Sequence, residues 1–262
     1  GVIKTLDTRI EEAVRSHLSY QEFFELLVND EVMNRTNNAA RKRFANAKFP
    51  QHKTIEEFNF NYQPSISRQM IYNLATCEFI RKKENIAFIG PPGTGKSHLA
   101  TAIGVKAIHQ GYSVLFTTVN HMLEDLYLSR ADNSFSQKLK KYTAVQLLIL
   151  DELGLKKLNQ NSVDDFYEVI ARRYEQMATV ITSNKSFDEW GRILFDPVLA
   201  TAILDRFIHH CHFVTIKGES YRMKERQGII KPVRKEPGKR GRPAKDKPAF
   251  DDSTETEPAA LE

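Results

Sequence analysis

The chain has 262 residues, of which 41% are hydrophobic and 27% charged, a composition typical of a globular protein with one α/β domain and smaller appendages. No run approaches the roughly 20 apolar residues that a membrane-spanning helix requires, and no secretory-type hydrophobic segment opens the sequence. The two cysteines, Cys77 and Cys211, have no neighbouring partner, which argues against a disulfide scaffold and predicts free thiols. We therefore expect a cytoplasmic protein without membrane contact.

The net charge of +5 is unevenly distributed. Residues 33–53 contain six basic side chains and no acidic one, and residues 231–247 contain eight basic side chains against two acidic ones. Acidic residues then dominate the end of the chain. Clustered positive charge of this kind favours a polyanionic partner, of which nucleic acid is the first to consider.

Residues 1–53 are predicted to form a small helical module. Leu6, Ile10 and Val14 recur at a spacing of four, which is typical of one helix, and Ser19 with Glu22 forms a capping-box pattern before a second. The basic residues near the end of this second helical region are candidates for contacting DNA: Arg41, Lys42, Arg43 and Lys48. A helical adaptor that contacts only protein, with these side chains merely solvated, explains Arg41 to Arg43 about equally well.

From residue 54 to 230, strand and helix patterns alternate. A helix after Pro64 is predicted to end near 81–83. Short apolar runs then predict strands at 86–89, 113–117, 145–150, 179–183 and 211–216. The segments between them predict helices at 96–110, 119–142, 162–177 and 197–208. Because the strands are apolar on both faces, we expect a parallel five-stranded sheet covered by helices.

A phosphate-binding loop lies between the first of these strands and the helix after it. The motif G-x-x-x-x-G-K-[ST] is formed by Gly90, Pro91, Pro92, Gly93, Thr94, Gly95, Lys96 and Ser97. Backbone N–H groups of such a turn, together with a helix N-terminus, bind anionic phosphate. Lys96 is expected to reach the β- and γ-phosphates of a nucleotide, and the Ser97 hydroxyl to ligate Mg²⁺.

Two carboxylates follow the strand predicted at 145–150. A buried strand that ends in Asp151 and Glu152 delivers both acids to the carboxyl edge of the sheet, where open α/β sheets bind ligands. Asp151 is expected to hold Mg²⁺ together with Ser97. Glu152 is placed to orient and deprotonate the water that attacks the γ-phosphate.

Three further polar residues are candidates for contacting the γ-phosphate. Asn184 follows the next strand and could orient the attacking water, although Ser-Asn is also common turn chemistry. Arg206, near the end of a helix, is interpreted as an arginine finger for a neighbouring subunit rather than as a complement to the helix dipole. Arg222, after the last strand, could sense the phosphate within its own chain, and this role stays open.

Residues 231–262 are rich in Pro, Gly and charge, and are predicted to be disordered. Within them, Arg240-Gly-Arg242-Pro could place two arginines in a narrow A·T minor groove. A basic tail that merely improves solubility is the alternative.

The order of the phosphate loop, Asp151-Glu152, Thr182-Ser183-Asn184 and Asp205-Arg206 resembles that of AAA+ ATPases. The similarity is greatest to the branch that holds the DnaC- and DnaI-type helicase loaders and the IstB-type transposition helpers of bacterial insertion sequences. It covers about residues 1–230, and it is most specific to IstB at 41–60, 90–97 and 203–210.

This resemblance implies a P-loop AAA+ fold that binds ATP at the loop and Mg²⁺ at Asp151. It implies Glu152 as the catalytic base, Asn184 as the first sensor and Arg206 as the finger. It also implies ring or helical homo-oligomers on double-stranded DNA and delivery of that DNA to a transposase. The sequence shows no C-terminal helical lid of the usual AAA+ size.

We therefore expect a Mg²⁺-dependent ATPase that assembles on duplex target DNA and assists a transposase. A replicative helicase loader is the main alternative, and a nucleotide switch that does not hydrolyse ATP is a third. The acid-free basic stretch at 33–53 and the Arg-Gly-Arg-Pro tail suit duplex DNA better than single strands, which favours the transposition helper.

Overall fold

Two helices form a hairpin at the start of the chain, α1 (Val2–Ser16) and α2 (Tyr20–Ala47). The predicted capping box is present: the Glu22 N–H donates to Ser19 Oγ at 3.3 Å, and the Ser19 N–H donates to the Glu22 carboxylate at 2.8 Å. The Arg9 guanidinium pairs with both oxygens of Asp30, at 2.9 and 2.7 Å, and so joins the helices. The computed structural model describes residues 2–194, 196–226 and 228.

The end of α2 packs into the hydrophobic core of the following domain. Ala47 is fully buried, and the helix ends at Lys48, whose φ of +56° stops it. The ring of Phe49 then lies 6.2 Å from that of Phe116, edge to face. Packing therefore continues across the predicted domain boundary at residue 53.

Five parallel strands form a single sheet in the described part of the chain. They are β1 (Asn85–Ile89), β2 (Val114–Thr118), β3 (Leu147–Leu153), β4 (Ala178–Ser183) and β5 (Cys211–Thr215). Their order is β2-β3-β4-β1-β5, and all four pairings are parallel. The predicted parallel five-stranded sheet is confirmed, with the strand bounds within about three residues of those expected.

Helices cover both faces of this sheet. They are α3 (Arg68–Ala75), α4 (Glu78–Arg81), α5 (Lys96–His109), α6 (Val119–Leu128), α7 (Phe135–Thr143), α8 (Gln160–Arg173), α9 (Phe187–Ile193), α10 (Pro197–Ile208) and α11 (Tyr221–Arg226). Alternate residues of β3 enter the two core clusters: Ile149 packs with α5 on one face, and Leu148 with α6 and α8 on the other. No helix of the described residues is long and apolar enough to cross a membrane.

Local structure differs from the sequence-based expectation at four places. The helix predicted over 119–142 is wrong, because it is divided into α6 and α7 by a turn. There Asn133 has a φ of +57°, and Asp132 accepts hydrogen bonds from the Ser134 N–H and hydroxyl. The helix predicted after Pro64 is interrupted at Cys77, whose φ is +58°. Helices α9 and α11 were not predicted.

Candidate nucleotide-binding site

The predicted phosphate loop runs from the end of β1 to the start of α5, as the motif requires. At two positions of the loop, neighbouring atoms lie so close to the backbone that only glycine fits. A Cβ on Gly93, whose φ is +78°, would lie 2.1 Å from Ser220 Oγ, and one on Gly90 would lie 2.2 Å from the Ile216 carbonyl oxygen. The first N–H groups of α5 have no intrahelical acceptor and carry the positive end of the helix dipole. The loop is therefore built to accept an anion.

Lys96 lies folded over this loop. Its ammonium donates to the carbonyl oxygens of Gly90 and Pro91, both at 2.7 Å, and the residue is only 7% exposed. Burial lowers the pKa of Lys96, the Asp151 carboxylate opposes this shift, and the charge of Arg222 adds to it; the resulting pKa is about 8. A buried cation held by two neutral carbonyls is poised to exchange them for phosphate oxygens.

Ser97 and Asp151 meet at the carboxyl edge of the sheet, as predicted. The Ser97 hydroxyl donates to Asp151 Oδ1 at 2.8 Å, and Asp151 is 7% exposed. A hydroxyl and a carboxylate are the hard oxygen ligands that Mg²⁺ prefers, and the adjacent loop would supply the phosphates. The donor set therefore fits a nucleotide-bound Mg²⁺ ion.

Glu152 is exposed, unlike Asp151 beside it. Its backbone has a φ of +65°, in the left-handed region, which turns its side chain away from the buried strand. Its N–H donates to the hydroxyl of Thr182 at 3.0 Å, and that hydroxyl in turn donates to Asp151 Oδ1. The sequence analysis assigned a role to Asn184 and named Thr182 within the motif Thr182-Ser183-Asn184 without giving it a role. The signal that could have identified Thr182 from the sequence is its hydroxyl within the apolar run of β4.

Asn184 follows the last residue of β4 and is exposed at the same edge of the sheet. Ser183, by contrast, is fully buried: its hydroxyl donates to the Leu153 carbonyl at 2.8 Å and accepts the Lys185 N–H at 3.0 Å. Ser183 thus fixes the turn, and the Asn184 amide remains accessible.

The two candidate arginines lie in different places. Arg222 is exposed on α11, whose first N–H, that of Tyr221, donates to the Gly93 carbonyl at 3.0 Å. Arg222 therefore lies beside the phosphate loop of its own chain. Arg206 is half-buried on α10, where it donates to the Ala202 carbonyl at 3.0 Å and lies 5.2 Å from the ring centre of Tyr167 on α8.

An open pocket of about 450 Å³ lies between the phosphate loop and α11. Pro91 and Pro92 line one side, and Gly218, Ser220 and Met223 line the other. From the sequence, Arg222 was the one candidate for this site in the segment after the last strand. That Gly218, Ser220 and Met223 line the pocket was not predicted, because nothing local indicates that this segment packs on a loop more than 120 residues earlier.

The segment before α3 also packs against the nucleotide site. The Thr54 carbonyl oxygen lies 2.8 Å from His98 Nε2, and the Phe58 ring lies so close to Gly95 that a Cβ there would meet it at 2.5 Å. Thr54 and Glu57 exchange the two hydrogen bonds of a capping box, at 3.2 and 3.3 Å, but only a turn follows them.

The predicted DNA-contacting residues lie partly within the described structure. Arg41, Lys42 and Lys48 are exposed at the end of α2, and Arg43 is half-buried. No carboxylate of the described residues forms an ion pair with any of these four. Arg240 and Arg242 lie outside the described residues.

The fold and this site together define a P-loop nucleotide-binding protein of the AAA+ class. The family model of the IstB-like ATP binding proteins matches residues 1–228, and the chain belongs to that family. It is 39% identical to the insertion sequence IS21 putative ATP-binding protein of Pseudomonas aeruginosa, over 85% of this chain and 84% of that protein. It is 42% identical to the IS5376 putative ATP-binding protein of Geobacillus stearothermophilus, over 83% and 86%.

Solved structures share the fold. DnaI superposes with a TM-score of 0.55 at 23% identity, over 63% of this chain and 90% of that one. AMPPCP-bound DnaA from Aquifex aeolicus superposes with a TM-score of 0.52 at 20% identity, over 71% and 58%. At these identities the likeness concerns the architecture alone.

Proposed function

We propose that this protein is a Mg²⁺-dependent ATPase that assembles on duplex DNA and assists a transposase. One observation carries the catalytic part: Ser97, buried Asp151 and exposed Glu152 meet at the sheet edge beside an anion-binding loop. This arrangement supplies a cation, a metal-ligand pair and a free carboxylate, the groups that phosphoryl transfer to water requires.

Each residue has a distinct role in the proposed reaction. Lys96 neutralises the β- and γ-phosphates, and Ser97 and Asp151 hold the metal ion, which supplies charge neutralisation when it is bound. Glu152 orients the attacking water and accepts its proton, because it is the exposed carboxylate next to the metal ligand. Asn184, exposed at the same edge, contacts the water or the γ-phosphate.

We propose that Arg222 acts on the nucleotide site of its own subunit and Arg206 on the site of a neighbouring subunit. Arg222 lies beside the phosphate loop of its own chain and contacts the nucleotide there. Arg206 has its described contacts on α8 and α10, so we propose that it completes the site of a neighbouring subunit in a ring or helical homo-oligomer.

Unpaired positive charge supports the proposed binding of duplex DNA. Arg41, Lys42 and Lys48 project from the end of α2 without an acidic partner among the described residues, as expected of side chains that contact phosphates. Arg240 and Arg242 would add minor-groove contacts. Relatives named for insertion sequences support a transposase as partner, in the cytoplasm of a bacterium.

Glu152→Gln tests the function directly. Glutamine keeps the size of the side chain but cannot accept a proton, so we expect kcat to fall about 100-fold or more while the Kd for ATP stays within about twofold. Because ATP is then retained, sedimentation should show larger and longer-lived assemblies on duplex DNA than the wild type forms. Glu124→Gln, an exposed change on α6, is the control. Unchanged turnover in Glu152→Gln contradicts the catalytic assignment.

The proposed binding of duplex DNA is tested by measuring DNA affinity as a function of salt concentration. Duplex affinity should fall steeply with salt, and Arg41→Ala with Lys42→Ala should reduce the slope of log K against log salt by about 0.9 for each phosphate that these side chains neutralise in the wild type. Arg81→Ala, which removes an exposed arginine already paired with Glu78, should leave the slope unchanged. Preference for single strands, or co-purification with a hexameric helicase, would favour a helicase loader instead.

A further inference from the structure

The pairing of β3 with β4 is irregular at the active edge. Leu150 pairs with Ile181, but the next pair is Leu153 with Ser183. Two residues of β3, the acids 151 and 152, therefore oppose the single residue Thr182 of β4, which is the arrangement of a β-bulge. The two acids at this edge are separated by a local distortion of the strand.

The bulge places the two carboxylates differently. In a regular strand, Asp151 and Glu152 would point to opposite faces of the sheet, and both faces are covered by helices here. With φ of +65°, Glu152 instead turns out of the strand and is exposed, while Asp151 stays 7% exposed. This conformation is disfavoured for residues other than glycine, so surrounding contacts must hold it.

The hydroxyl of Thr182 makes the contacts that hold it. It accepts the Glu152 N–H at 3.0 Å and donates its single proton to Asp151 Oδ1. An N–H can only donate, so the direction of both bonds is fixed. Thr182 is 1% exposed, which leaves little room for water to replace the hydroxyl. Asp151 Oδ1 also accepts from Ser97, and among the described residues no donor reaches Oδ2.

We propose that Thr182 is a positioning residue that sets the metal ligand Asp151 and the base Glu152 relative to each other. Its hydroxyl binds the carboxylate of one and the backbone of the other, so their separation is fixed by one side chain. This inference rests on the proposed ATPase function and names a residue that acts through both acids without touching ATP. We expect the phosphate loop to bind nucleotide without it, because the described hydrogen bonds of the Thr182 side chain are with Glu152 and Asp151 only.

Thr182→Val and Thr182→Ser separate the hydroxyl from the packing. Valine keeps the shape and removes the hydroxyl, and serine keeps the hydroxyl. We expect kcat of Thr182→Val to fall about 10- to 100-fold, as is usual when the partner of a metal ligand is removed, with the metal-free Kd for ATP within about twofold of wild type. The kcat of Thr182→Ser should lie within about threefold of the wild-type value.

Thr117→Val is the matched control. Thr117 is also a buried threonine of the sheet, on β2, but its hydroxyl bonds only to the Thr118 carbonyl, at 3.3 Å. We expect wild-type kcat for it. Thermal unfolding of all variants should show cooperative transitions, so that loss of fold is separated from loss of positioning.

A second readout does not depend on hydrolysis. Mg²⁺ should tighten the binding of a non-hydrolysable ATP analogue to the wild type and to Thr182→Ser, and do so less in Thr182→Val, because Asp151 is then free to rotate. An equal effect of Mg²⁺ in Thr182→Val and wild type, or equally slow turnover in the folded Val and Ser variants, would overturn the inference. A wild type that binds Mg²⁺ and nucleotide without turnover would refute the ATPase proposal alone, and the Mg²⁺ readout would still decide the role of Thr182.

Discussion

Burial of Lys96 makes its ammonium group suited to binding a triphosphate. Its ammonium has lost most of its water and is bonded to two carbonyl oxygens of the phosphate loop. Asp151 provides the opposing negative charge, and Arg222 adds a second positive one. The cation is therefore incompletely neutralised in the free protein, and a triphosphate would supply the missing negative charge.

This environment predicts a pH dependence of ATP affinity. The pKa of Lys96 is about 8 in the free protein, and bound phosphate must raise it because the phosphate favours the charged form. The gain in affinity from Lys96 is therefore complete below pH 8 and is lost as the pH rises above it, by up to about tenfold per unit. Fluorescence titration of ATP between about pH 7 and 9.5 measures this change.

Lys96→Arg is the comparison for this titration, because a guanidinium stays charged over the whole range. If Lys96→Arg binds ATP, its affinity should be nearly constant where that of the wild type falls. A flat profile for the wild type would show that the ammonium keeps its ordinary pKa.

Among the helices and strands, one buried arginine links the carboxyl-terminal ends of α7 and α8 to the amino-terminal end of β4. Arg173, the last residue of α8, is 1% exposed and has no carboxylate partner among the described residues. It donates to the carbonyls of Tyr142, Val145 and Ala178 and to the Thr179 hydroxyl. It therefore supplies hydrogen-bond donors to carbonyl groups at the end of α7, in the segment before β3 and at the start of β4.

Replacement of Arg173 by methionine should destabilise the fold. Methionine can fill much of the space, but the buried carbonyls lose their donors, at a cost of about 1–3 kcal/mol for each such group. Relief from burying a charge offsets part of this, so we expect the free energy of unfolding to fall by roughly 2–4 kcal/mol. Urea unfolding measures it as a lower midpoint at constant slope.

Arg172→Met is the matched control, since the preceding arginine is mostly exposed and only pairs with Glu168 one turn earlier. A change within about 0.5 kcal/mol is expected there. Equal stability of the Arg173→Met variant would show that the carbonyls find other partners.

If Arg206 acts on a neighbouring subunit, as proposed, a single chain provides an incomplete site. The loop, the acids and Arg222 lie together, whereas the described contacts of Arg206 are with α8 and α10. If Arg206 serves a neighbour, activity must depend on assembly, and the DNA that promotes assembly would also promote hydrolysis.

Mixing two inactive variants tests this arrangement. Arg206→Ala keeps a working loop, and Lys96→Ala keeps a working arginine. In an equal mixture, roughly one interface in four joins the intact loop of the first to the intact arginine of the second, so activity should recover to about a quarter of wild type. ATPase assays of each variant alone and of the mixture measure it. Arg172→Ala should be fully active alone, and no recovery in the mixture would place Arg206 outside the neighbour's site.

Features that depend on short-range patterns could be predicted from the amino-acid sequence. The phosphate loop, the strand that ends in two acids and the alternation of five strands with helices are all encoded in contiguous residues, through glycine spacing and hydrophobic period. These predicted the parallel sheet and brought Ser97 to Asp151. The turn at residues 132–134 shows the limit of such patterns. The hydrophobic period there predicted one continuous helix, although Asp132 and Ser134 form a turn that divides it.

The way in which distant segments complete the site became evident from the folded chain. The bulge that exposes Glu152 depends on the register between β3 and β4, and the bonds of Thr182 follow from that register. The contact of Ser220 with Gly93 likewise joins segments that are far apart in sequence. Strand order and register are set by long-range packing, which no local pattern records. The phosphate loop could therefore be predicted from the sequence, whereas the residues that pack around it could not.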